Sequence, residues 1–154
     1  MQILGLHVGG SPQTVHMVIW DAATRAVIDT FTHVPSPEHD EATEAREARG
    51  HVHTSIKTFA LAAAALREAD YNARQRLDGP TKRRLRLEGA CLTAARDKVD
   101  TVVVLNGAAI GRAFNSDKQA VLEEARTYGL PKAFTEALAA AMAAGRDLLA
   151  SPAG

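Results

Sequence analysis

The chain has 154 residues, of which 46% are hydrophobic and 23% charged, with 18 basic against 18 acidic side chains and zero net charge. That length supplies one full hydrophobic core, and the charge balance excludes bulk attraction to nucleic acid or an anionic membrane, leaving that to a local patch. The one cysteine, Cys91, excludes an intramolecular disulfide and a cysteine-based zinc site.

No stretch is long and apolar enough to cross a bilayer. The N-terminus has no basic segment leading into a long apolar run, so no signal peptide is expected and a cytoplasmic location is the default. One domain is expected over 1–150, with a frayed tail over 151–154. Low net charge leaves self-association, as a homodimer, open.

In chain order, residues 2–8 read as a mostly buried strand and Gly9-Gly10-Ser11-Pro12 as a turn. Residues 14–21 alternate and are rich in β-branched side chains, which predicts a second strand. After Asp21-Ala22-Ala23-Thr24, a tight turn, residues 26–34 predict a third strand and complete an antiparallel meander. Pro35-Ser36-Pro37 ends it. Charge-dense residues 38–49 read as a solvated loop or a frayed helical start, with Gly50 marking a break. Val52, Ile56, Phe59, Ala60, Ala63 and Leu66 recur at helical spacing and predict a helix whose alanines at 62–65 sit close to a sheet.

Residues 70–77 read as a polar fourth strand and Asp78-Gly79-Pro80 as a turn. A helix is expected over 81–98, with Leu85, Leu92 and Ala95 inward and Gly89 near a packing contact. Residues 101–105 give the clearest signal of a buried strand. From Asn106-Gly107 to Asn115 the chain reads as irregular. Ser116 with Gln119 has the form of a capping box for a helix carrying Val121, Leu122, Ala125 and Tyr128. Gly129-Leu130-Pro131 stops that helix. The last helix is expected over 132–149, with Phe134, Leu138, Ala141, Met142 and Leu149 inward. Three strands, helix, strand, helix, strand and helices demand right-handed crossovers beside the meander. The result is an α/β fold, a five-stranded mixed sheet with helices on both faces, which is the order of the ribonuclease-H-like fold.

Several segments resemble the RuvC resolvase branch of that superfamily. Ile3-Leu4-Gly5-Leu6-His7-Val8-Gly9-Gly10 resembles its opening strand, where an Asp usually stands at the place of His7. Residues 103–105, then Asn115-Ser116-Asp117-Lys118-Gln119-Ala120-Val121, resemble its last strand and connector helix. Gly129-Leu130-Pro131 and Thr135-Glu136-Ala137-Leu138-Ala139 resemble its ending. Residues 70–95 are also similar to short bacterial proteins with an Arg-rich motif after the fourth strand. The likeness spans most of the chain and rests on order and spacing.

The resemblance implies a nuclease that cuts DNA with two divalent ions, Mg²⁺ or Mn²⁺, held by about four carboxylates; the ions activate a water and stabilise the leaving oxygen. Carried over position by position, the first-strand acid is His7, the fourth-strand acid falls at Arg74 or Gln75, and the final-helix pair is Glu136 and Ala133. Only Glu136 is acidic. Imidazole can take Mn²⁺ or Zn²⁺ but is a poor ligand for Mg²⁺. An arginine at a metal position repels the ion, or pairs with Glu136 instead. The expectation is a degenerate site without a cofactor, in a protein that binds nucleic acid or a protein partner. One alternative is an active structure-specific endonuclease using His7, Glu136 and a further acid, Asp78 or Glu88. The other is an assembly subunit that touches no DNA.

Other patterns have bland readings beside functional ones. His7 is, in the commoner case, a strand-end histidine hydrogen-bonded within the protein. The basic run Lys82-Arg83-Arg84-Leu85-Arg86, with Arg74 and Arg76, is either a solvated helix face or a phosphate contact. It contains no aromatic residue, so base stacking is not indicated. His51 and His53, two apart on a helix, leave different faces, and His16, His33 and His39 show no ligand spacing. Cys91 reads as a buried inert thiol. The Gly9-Gly10-Ser11 turn also resembles the phosphate-binding hairpin of sugar kinases and actin-like ATPases, which need a second domain of similar fold.

Overall fold

β1 (Gln2–Gly9), β2 (Thr14–Asp21) and β3 (Ala26–His33) form the expected antiparallel meander in a computed structural model that describes residues 1–70 and 77–150. β4 (Leu61–Arg67) adds parallel to β1, and β5 (Val102–Leu105) adds parallel to β4. The sheet order is β3-β2-β1-β4-β5. Strand alternation divides β1 cleanly. Leu4, Leu6 and Val8 face one core with α1 (Glu41–Ile56) and α2 (Gly79–Arg96). Ile3 and Gly5 face the other, covered by α5 (Thr135–Ala150) with α3 (Gly107–Ala113) and α4 (Lys118–Arg126).

The fourth strand is the main correction. The expected strand over 70–77 falls mostly on 71–76, outside the described residues, and the alanine run assigned to a helix is β4 itself. Ala63, Ala64 and Ala65 are fully buried between two sheet neighbours and two helical layers. Alanine favours a helix in isolation, but a strand hydrogen-bonded on both edges and covered on both faces overrides that propensity. The helix lies earlier. Asp40 caps α1 by accepting a hydrogen bond from the Thr43 N–H at 2.8 Å. Its buried residues are Glu44, Ala48, Val52 and Ile56, a strict spacing of four. The first half of that stripe reads as solvated because its leading residue is a glutamate. Gly50 is exposed with open space around it and breaks nothing.

Smaller differences have equally local causes. Leu85 is 40% exposed rather than inward, while Ala95 is buried as expected, together with Leu87, Cys91 and Ala94. Gly89 makes no close contact. β5 is an edge strand, so Val104 is 44% exposed despite its β-branched run. The stretch after Asn106 forms α3, capped by the Asn106 side chain accepting from Ala109 N–H. α4 is capped by Asp117 rather than Ser116. Gly129 adopts a φ of +72° and ends α4 as expected. Leu149 is exposed at the far end of α5. Burial pushes the Cys91 thiol up to about 12, with Glu88 adding to it, so the thiol is inert. No helix among the described residues is long and apolar enough to cross a membrane.

Candidate active site

Register brings the site together. His7 pairs with His16 across the antiparallel edge and with Arg67 across the parallel one. The alternation that turns Ile3 and Gly5 toward α5 turns His7 the same way, and Ala63, Ala65 and Arg67 share that face. Glu136, in the first turn of α5, stands opposite. A Cβ on Gly9 would lie 2.6 Å from the His7 ring, so glycine at the strand end makes room for the imidazole. The rings of His7 and His16 stack with centroids 6.4 Å apart, and Phe134 meets His16 edge-on at 5.3 Å.

Arg67, 3% exposed, is the centre of the charge arrangement. Its Nε donates to Glu136 Oε2 at 2.8 Å and its Nη2 to Asp70 Oδ2 at 2.6 Å. Lys118 Nζ reaches the other Glu136 oxygen at 3.1 Å and Asp70 Oδ2 at 3.2 Å. The Gly107 N–H, at the start of α3, donates to Asp70 Oδ1 at 2.7 Å. A side chain on Gly107 would strike Lys118 and Asp70, so this glycine is required by close approach. Beside these groups opens a cleft of about 680 Å³ lined by residues including Glu68, Asp70, Gly107, Arg112 and Lys118.

The surroundings set the protonation states. Burial alone raises the Asp70 carboxyl, but the Gly107 N–H, Arg67 and Lys118 outweigh it and hold the group down at about 2. Burial likewise works against ionised Glu136, and Arg67 with Lys118 overcomes it, so its pKa is lowered. Burial, then Arg84, then His16 and Arg67 lower His7 to about 4 against the opposing pull of Glu136. His7 is therefore neutral at pH 7, and its Nδ1 is buried without a hydrogen-bond partner among the described residues.

This shift makes a prediction. The unfolded chain protonates the same imidazole near 6.5. Between about 6.5 and about 4 the unfolded state binds more protons, so stability falls as pH drops through that window. His16 and His33, also lowered by burial, contribute to the same slope. Urea unfolding of His7→Asn between pH 7 and pH 4 is expected to show a shallower loss than wild type. An identical slope would assign it wholly to other groups.

The other expected site residues lie elsewhere or are engaged. The fourth-strand position opposite His7 belongs to Arg67, not to Arg74 or Gln75, because β4 ends at residue 67; Arg74, Gln75 and Arg76 fall outside the described residues. The guanidinium pair expected with Glu136 is present, made by Arg67. Ala133 sits in a single 3₁₀ turn before α5. Asp78 caps α2 by accepting from Thr81 N–H. Glu88 is buried on α2 and bonded to Arg84 at 2.8 Å; burial raises its pKa against the pull of Arg84. Arg83 grips buried Glu44 through three bonds of 2.6–2.9 Å, and Arg86 meets Glu41 at 3.0 Å. Lys82 is exposed. Asp70 and Lys118 were not singled out from the sequence; charged residues directly after the apolar 61–66 run were the signal available for Arg67.

As arranged, these side chains do not fit a two-metal cage. Both Glu136 oxygens and both Asp70 oxygens already accept hydrogen bonds, and a guanidinium and an ammonium stand between them. Among the described residues no three His, Cys, Asp or Glu side chains form a group able to hold an ion.

The architecture is ribonuclease-H-like. Its form is that of RuvC: the chain matches Thermus thermophilus RuvC with a TM-score of 0.76 at 17% identity, over 97% of this chain and 96% of that one. It matches T. thermophilus RuvC in complex with Holliday junction substrate with a TM-score of 0.75 at 18% identity, again over 97% and 96%. At such identities the likeness establishes the fold. No protein-family model and no curated protein matches the sequence.

Proposed function

We propose that this chain is a RuvC-fold protein that holds nucleic acid without hydrolysing it, its cation position filled by the Arg67 guanidinium. The reading rests on one observation above all, the 2.8 Å bond from buried Arg67 to Glu136 with Lys118 on the opposite oxygen. Metal-assisted hydrolysis needs carboxylate oxygens free to bind hard divalent ions. A guanidinium neutralises the same carboxylates and holds a fixed positive charge, but it cannot lower the pKa of a bound water as a metal does. The resolvase bound to a Holliday junction, with the same fold, supports nucleic acid as the partner class.

Arg83, Arg84 and Arg86 are each neutralised by a carboxylate, so their share of phosphate binding is small. The phosphate contacts are assigned to Lys82, to Arg112 on the cleft wall, and by sequence position to Arg74 and Arg76. The test incubates the protein with four-way-junction and duplex DNA in Mg²⁺ and in Mn²⁺. Salt-dependent binding without cleavage is expected. Lys82→Glu with Arg112→Glu should reduce the slope of log affinity against log salt by roughly one per lost contact. Metal-dependent cleavage abolished by both His7→Ala and Glu136→Ala would instead establish an active nuclease. Absence of binding at low salt would favour an assembly role.

A further inference from the structure

On the opposite side of the sheet from the Arg67 centre, the outer face of α1 carries a basic stripe. The helix buries Glu44, Ala48, Val52 and Ile56. On its far face Arg46, Arg49, Gly50, His53, Thr54 and the C-cap Lys57 recur at spacings of three and four, and all six are exposed. Gly50 leaves an open depression of about 400 Å³ between Arg46, Arg49, His53 and Thr54, with Asp97 as its acidic side chain. Lys98, just past α2, donates to the Lys57 carbonyl at 3.1 Å and adds a cation at the end of the stripe.

Two features of this face have no cause within the fold. Gly50 lies in the interior of a 16-residue helix, where glycine costs stability relative to alanine. A Cβ there would meet nothing within 4 Å, so no neighbour in the chain requires the glycine. Its use is to let a partner approach the helix closely. The other feature is the charge. Arg46 and Lys57 form no salt bridge among the described residues. Arg49 meets Asp97 at 2.7 Å, but their side chains are 53% and 41% exposed, and so weak a surface pair exchanges readily for another anion.

The chemistry of the stripe selects the partner. It offers no aliphatic, Phe, Tyr or Trp side chain, so it lacks the anchors of a protein interface or of a helix lying on a membrane, and it cannot stack bases. From Arg46 to Lys57 it extends roughly 17 Å at about 1.5 Å per residue, a length over which one strand of a duplex presents about five phosphates. We infer that this face of α1 is a second binding surface for nucleic acid, gripping the sugar–phosphate backbone without reading sequence. The inference rests on the reading of the chain as one that holds nucleic acid. The cleft and the stripe lie on opposite sides of the sheet, so they serve separate segments of nucleic acid.

The test follows labelled duplex DNA by fluorescence anisotropy across a salt series, with the full chain. Arg46→Glu with Lys57→Glu should reduce the slope of log affinity against log salt by roughly two, one per lost contact. Arg126→Glu, exposed on α4, should leave binding unchanged. Gly50→Leu alters no charge; it should raise the melting temperature, because a good helix former replaces glycine, and still weaken binding several-fold. Gly89→Leu, in equally open space on α2, should raise the melting temperature and leave binding as it was. Binding that survives the α1 substitutions but falls with Lys82→Glu plus Arg112→Glu would overturn this surface and leave the cleft reading standing. An equal loss with Arg126→Glu, which would reduce the effect to net charge, or wild-type affinity in Gly50→Leu would also overturn it. No binding of duplex at low salt would overturn both readings.

Discussion

Replacement of Arg67 by leucine is expected to lower the unfolding free energy by ~2–4 kcal/mol in urea at pH 7. The guanidinium is 4% exposed and joins Glu136, 25% exposed, to Asp70, 51% exposed. Breaking a fully buried pair costs ~3–5 kcal/mol because one charge is left without compensation. The figure is smaller here because Lys118 still reaches both carboxylates and water reaches Asp70. A more informative change is Arg67→Glu combined with His7→Asp. It replaces a cation and an imidazole by carboxylates beside Glu136 and Asp70, and mutual repulsion should leave the metal-free variant weakly stable. Added Mn²⁺ should restore it, by ~2.7 kcal/mol at a hundred times the dissociation constant. The unsubstituted chain should gain nothing at this position. If Mn²⁺ stabilises the wild type and Glu136→Gln removes that gain, the filled-cation reading is wrong.

The second large effect lies beneath the same helix. Gly5→Ala is expected to cost about 3 kcal/mol, the upper end of ordinary overpacking. A Cβ at Gly5 would collide with the Ala137 carbonyl oxygen and lie 2.9 Å from its carbon and 3.0 Å from the Ala141 methyl. The obstacle is backbone of α5, which cannot turn aside as a side chain can. α5 would have to lift from β1 and β4, opening the core around Ala63, Ala65, Leu138 and Ala141. At ~2–4 °C per kcal/mol for a chain of this size, the melting temperature should fall by roughly 6–12 °C. Lifting α5 also draws Glu136 from Arg67, so the variant should lose part of the acid-sensitive stability described below. A fall under about 2 °C would mean that the helix rides loosely on the sheet.

The carboxylates at the centre connect packing to pH. Asp70 and Glu136 both titrate below their ordinary range in the folded chain. Their contribution is present above the unfolded carboxylate range and is lost as pH falls toward about 2, where Asp70 takes up its proton. His7 acts at higher pH, between about 6.5 and about 4, with stability again falling as acid is added. The two windows separate a charge network from a buried neutral imidazole on the same face of the sheet.

What the amino-acid sequence determined by itself was local. The meander was legible because period-two alternation and the turns after residues 9 and 21 are short-range signals. The α4 stop at Gly129 was legible because a left-handed residue followed by Leu130 and Pro131 is nearly unambiguous. His7 and Glu136 could be marked as the positions to watch, together with an arginine as the partner that neutralises the glutamate. Tertiary structure alone decided which arginine. Arg67 faces Glu136 because β4 pairs with β1 in the register that sets residue 67 beside residue 7, and no periodicity within 61–67 specifies that pairing. The same holds for Glu44, which reads as solvated until Arg83 of another helix makes its burial tolerable, and for His33 and His51, which meet only when α1 is laid against β3. Short-range signals fix where a strand or a turn lies, whereas alanines become a strand and charges become a core only through partners distant in the chain.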